Sequence, residues 1–196
     1  MRFEKIFELN NLNNEIKNYL KDYLELKEGE ADKIKIIKAL DLPKNYQIQK
    51  EFLSDKRLDN INIVIVPDEL WAKGRASSES DAEKNLILFK KSDFESLADS
   101  SESAWMTHEL AHCQKFLNSK EAENYEKDMQ TPAFMDIKTE YNYPNNLVEQ
   151  YTFSKQFEFL KSQGATRESV LEMLNETYEK EDEEFFIRIL DSVYKK

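Results

Sequence analysis

The stretch Trp105-Met106-Thr107-His108-Glu109-Leu110-Ala111-His112-Cys113-Gln114-Lys115-Phe116-Leu117 decides how the chain is read. Met106, Leu110, Cys113 and Leu117 recur at i, i+4, i+7 and i+11, and Trp105, Glu109, His112 and Phe116 form a second line beside them at the same spacing. Two adjacent apolar lines describe a deeply buried helix, whose polar members then line an interior cleft. Asp99-Ser100-Ser101-Glu102 has the form of a capping box and sets the helix start near Asp99. On that helix His108 and His112 stand one turn apart on the same face, so both imidazoles can aim at one ion, with Glu109 beside the open coordination position. The chain has no other histidine.

A catalytic zinc uses three protein ligands and a water, so the missing ligand must be a carboxylate. Downstream of His112 the chain offers Glu121, Glu123, Asp128, Asp136, Glu140 and Glu149. Glu121 and Glu123 follow the helix end too soon for an easy return, and Asp136 and Glu140 fall in an irregular stretch from Gln130 to Asn146 that Pro132 and Pro144 interrupt. Glu149 lies on the buried line of the next helix, four residues before Phe153 and eleven before Leu160. A metal explains a carboxylate there, because an unpaired buried charge is costly. Glu149 is the chosen ligand and Glu140 the alternative; a plain first-turn glutamate favoured by the helix dipole is the other reading of Glu149. Zinc so held would bring the pKa of its water towards about 7, and Glu109 would act as general base towards a peptide carbonyl. Tyr141, Tyr143 and Tyr151 are candidate donors to the resulting oxyanion. Cys113 sits on the core line and reads as a small buried hydrophobe.

Outward from this helix the pattern predicts an α+β fold, mostly helical, with a small sheet preceding residues 108–112. Leu12, Ile16, Tyr19, Tyr23 and Leu26 mark an amphipathic helix ending near Gly29. Ile34, Ile37 and Leu40 suggest a short second helix stopping before Pro43, and a third spans Tyr46 to Leu58. Residues 61–66 and 85–89 read as buried strands, with another near Lys73 to Ser77. Ser119 to Ala122 opens a short helix, Asn145 or Asn146 caps the Glu149 helix, which ends at Gly164, Thr166 opens another, and the last carries Phe185, Phe186, Ile189, Leu190 and Val193.

With 196 residues, three glycines and four prolines, the chain is expected to form a single domain: a helical part over 1–58, a core over 60–163 and C-terminal helices over 165–196. A net charge of −11 argues against nucleic acid and anionic membrane as partners. The acidic N-terminus and single cysteine lead to the expectation of a cytoplasmic protein.

His108-Glu109-Leu110-Ala111-His112, followed by a downstream helix with Glu149, resembles the gluzincin zinc metallopeptidases. From Gly74-Arg75-Ala76 through Leu86-Ile87-Leu88-Phe89 into Trp105–His112, the layout is similar to small ImmA/IrrE-like peptidases. The resemblance covers about residues 60 to 163 and implies a minimal zincin-like fold, a zinc cofactor and a peptide or protein substrate. Ala111 stands where those peptidases usually carry glycine, and Thr152 where the ligand helix usually has alanine. The alternative function is a non-catalytic metal-binding or protein-interaction module on the same fold.

Overall fold

The computed structural model describes residues 2–42, 52, 54–73, 75–76, 78–96, 100–137 and 143–195. Among them are seven α-helices and a four-stranded mixed sheet. The helices are α1 (Arg2–Tyr23), α2 (Lys91–Ser96), α3 (Ser100–Ser119), α4 (Ala122–Gln130), α5 (Leu147–Ser162), α6 (Arg167–Thr177) and α7 (Glu183–Tyr194). The strands are β1 (Lys35–Lys38), β2 (Asn62–Val66), β3 (Ser78–Asp81) and β4 (Leu86–Lys90), in spatial order β1-β2-β4-β3.

The two central strands are the β-branched and apolar runs seen in the sequence, paired in parallel with Ile63 opposite Ile87 and Ile65 opposite Phe89. Alternation along each strand feeds two different cores. Ile63, Ile65, Ile87 and Phe89 pack on Met106, Leu110, Ala111 and Cys113 of α3. Val64, Val66, Leu86 and Leu88 pack on Ile16 and Leu20 of α1. The sheet therefore lies between α1 and α3. A third core of Phe153, Phe157, Phe185, Phe186 and Ile189 joins α5 to α7 and takes in Ala104 of α3. Met106, Leu110, Cys113 and Leu117 of the first apolar line meet the sheet-side core together with Phe116 of the second, whereas Ala104, which reaches the α5–α7 core, belongs to neither line.

Several local expectations are corrected. Residues 35–38 form an edge strand antiparallel to β2, not a helix, because Ile36 and Ile37 gain a ladder opposite Val64 and Ile63. The sheet thus draws one strand from the part read as helical. The other edge strand lies at Ser78–Asp81, past the expected Lys73–Ser77, and is antiparallel to β4. Helix α1 stops at Tyr23, six residues before Gly29. Leu26 N–H bonds Lys21 O and Glu25 N–H bonds Asp22 O around Glu25 at φ 52°, a left-handed stop without glycine. At the end of α5 the same device uses Gly164 at φ 89°, as expected. Glu121, not Ser119, precedes α4, and its side chain makes no cap. The expected cap at Asp99 and most of the expected helix from Tyr46 lie outside the described residues. Among the described residues, no helix is long and apolar enough to cross a membrane.

Candidate metal centre

Two helices build the site. α3 presents His108 and His112 one turn apart, and α5 delivers Glu149 in its first turn. The start of α5 is fixed by Asn146, whose Oδ1 accepts from the N–H groups of Val148 and Glu149 at 3.0 and 2.9 Å. Asn145 holds the preceding loop: its Oδ1 accepts from Phe134 N–H, and its Nδ2 donates to the carbonyls of Phe134 and Ile137, each at 2.9 Å. The Glu149 carboxylate thereby has a fixed place beside the histidines. Glu149 does sit in the first turn of α5, but at 4% exposed it is buried rather than partly solvated.

The Nε2 atoms of His108 and His112 are 3.1 Å apart, and they lie 3.4 and 3.5 Å from the two oxygens of Glu149. A tetrahedral ion with bonds of 2.0–2.1 Å requires neighbouring donors about 3.3–3.4 Å apart. The two rings stand near that spacing from one another and each from a different oxygen of Glu149; among the described residues these three side chains form the one group that could hold a metal ion.

Electrostatics agree with this. Burial weighs against charge on either ring. At His108 it is outweighed by the hydrogen bond and charge of Glu149, so the pKa is raised. At His112 burial prevails over Glu149, with the His108 charge adding to it, and the pKa is lowered. Burial would raise Glu149, yet the two histidines hold its carboxyl below the usual range. The Glu149 carboxylate thus draws positive charge into the cluster, and with no ion bound a proton on His108 answers it.

Outer contacts complete the centre. His108 Nδ1 lies 3.1 Å from Gln156 Oε1, and His112 Nδ1 lies 3.0 Å from the Tyr125 hydroxyl. Thr152 Oγ1 lies 3.1 Å from the Glu149 main-chain carbonyl and 3.3 Å from Glu149 Oε2, so its one proton is divided between them. The threonine that departs from the resemblance thus reaches the carboxylate in part. Ala111, the other departure, is fully buried, its methyl group packed in the core beneath the sheet.

His108 and Glu109 line a cleft of about 520 Å³ with Arg75, Ser78, Asp93, Trp105, Tyr143 and Tyr178. Ser78, from edge strand β3, donates through Oγ to Glu109 Oε1 at 2.8 Å. Tyr143, with half of its surface exposed, shares a hydrogen bond with the half-buried Tyr178. Desolvation raises the Tyr178 hydroxyl against the lowering effect of that bond, and the nearby carboxylates add to the rise. Of the other tyrosines considered, Tyr151 is turned elsewhere and donates to Gln114 Oε1 at 2.7 Å, while Tyr141 lies outside the described residues. Glu140, the alternative ligand, is also outside them. Asp128 pairs with Lys115 at 2.7 Å and Asp136 with Arg188 at 2.6 Å, which accounts for both without a metal. Cys113 is 1% exposed, and burial pushes its thiol far up, which fits a core residue.

Ser78, Tyr125 and Tyr178 were not singled out in the sequence. Gln156 carried a signal, standing seven residues after Glu149 on the same helical line. The other three come from a strand, a short helix and an interhelical turn whose spacing to the centre follows no local period.

No protein-family model, curated protein or solved structure matches the chain. The centre is therefore defined by its own geometry: a buried two-histidine, one-carboxylate cluster at the back of a cleft in an α+β fold.

Proposed function

We propose that the protein is a zinc-dependent metallopeptidase of gluzincin type, with His108, His112 and Glu149 as ligands and Glu109 as general base. The observation that carries this reading is the position of Glu109. Its carboxylate lines the same cleft as His108 and is held by a hydroxyl from an edge strand. A purely structural metal site has no use for a base there, and it closes its coordination with four protein ligands. Here the described donors number three.

Zinc bound by these residues would supply an acidified water and a polarised carbonyl. Glu109 takes the proton released as water attacks the peptide carbonyl and passes it to the leaving amine. Ser78 occupies one carboxylate oxygen, so the other is left for this transfer. Of the Tyr143–Tyr178 pair, the hydroxyl that accepts in their shared hydrogen bond keeps its own proton free for the developing oxyanion.

Incubating the zinc-loaded protein with a mixed peptide library, with and without chelator, tests this reading. Cleavage that stops with chelator and returns when zinc is restored is the expected outcome. A zinc-loaded protein that cleaves nothing would leave a metal-binding module and remove the peptidase.

A further inference from the structure

His108 can serve the cluster only if its Nε2 carries a lone pair, and the ring alone does not dictate this, since neutral imidazole exists as two tautomers. Its Nδ1 lies 3.1 Å from Oε1 of Gln156. An amide oxygen only accepts, so the contact is a hydrogen bond only when Nδ1 holds the proton, which leaves Nε2 bare. His112 lacks this control, because its Nδ1 meets a tyrosine hydroxyl that can donate or accept.

The Gln156 amide is fully buried, and its Nε2 has no hydrogen-bond partner. An unpaired buried donor works against folding. Reversing the amide would let Nε2 donate to His108 Nδ1, but the ring proton would then sit on Nε2, 3.1 Å from His112 Nε2 and facing Glu149 at 3.4 Å. That arrangement excludes an ion. The orientation present is the one that serves metal binding, and it leaves a buried donor unpaired.

We propose that Gln156 is a positioning residue that locks His108 in the Nδ1-protonated tautomer, keeping Nε2 open to the metal at the expense of the stability of the metal-free fold. This rests on the metal-centre reading above. Two substitutions separate its parts. Gln156→Met keeps the side-chain length and removes both acceptor and unpaired donor. Gln156→Glu keeps the acceptor and removes the donor.

The test uses wild type and both variants in metal-free form. Zinc is titrated by calorimetry, unfolding is followed thermally, and the imidazole tautomers are read from ¹⁵N spectra at a pH where the rings are neutral. Gln156→Met is expected to bind zinc about 10–100-fold more weakly, the range typical for losing an outer partner of a ligand. It should show mixed His108 tautomers and unfold no earlier than wild type. Gln156→Glu should bind zinc within a few-fold of wild type. The inference is overturned if Gln156→Met binds like wild type, unfolds earlier in metal-free form, or keeps the single tautomer, or if Gln156→Glu loses as much affinity as Gln156→Met. Should Gln156→Met not fold, an Nε2-protonated His108 in wild type overturns it equally. Wild type that takes up no zinc instead overturns the metal centre itself.

Discussion

Glu109→Gln is expected to take up zinc as wild type does and to lose the proposed peptide hydrolysis, with kcat reduced by about 10²–10⁴-fold, the usual contribution of a positioned acid–base group. The substitution changes almost nothing in shape. The amide oxygen still accepts from Ser78, whose Oγ stands 2.8 Å from the carboxylate now, so the side chain stays in place. It can no longer take a proton. His108, His112 and Glu149 are untouched, so metal content measured on the same preparation should equal that of wild type. A variant that keeps zinc and cleaves as fast as wild type would remove Glu109 as the base.

The second large effect falls on the ligand from the other helix. Glu149→Ala takes away one of three donors and the only anionic one. Zinc affinity should fall by more than the ~100-fold that marks the upper range for outer partners, whereas Glu140→Ala should leave it unchanged. Competition against a chromophoric chelator measures both. The reverse pattern would transfer the ligand role to Glu140. Two nearby nitrogens also lose the charge that offsets their burial, so the effect exceeds the loss of a single bond.

Helix α3 and the buried carboxylate on α5 could be read from the sequence because both are written in local periods: two apolar lines around His108 and His112, and one buried line through Glu149 and Phe153. Strands β2 and β4 were equally plain, since residues 62–66 and 86–90 are almost wholly apolar. The edge strands were not. Ile34, Ile37 and Leu40 recur at a helical spacing, and it is pairing with β2 that makes residues 35–38 extended, with Ile36 and Ile37 on opposite faces. Ser78-Glu79-Ser80-Asp81 has no apolar alternation at all; its strand character comes from the ladder to Leu86–Phe89. The support that Ser78 gives Glu109 was hidden for the same reason. Thr152 looked like a departure from the resembled pattern, and the structure divides its proton between the main-chain carbonyl and the carboxylate of Glu149, which it follows by three residues.

His108, His112 and Glu149 are a metal centre only if together they retain an ion. Equilibrium dialysis against zinc followed by elemental analysis, on wild type and on His112→Ala, tests it most directly. Wild type should hold about one tightly bound zinc per chain, and His112→Ala should lose it. Wild type without stoichiometric zinc, or His112→Ala holding as much as wild type, would contradict it.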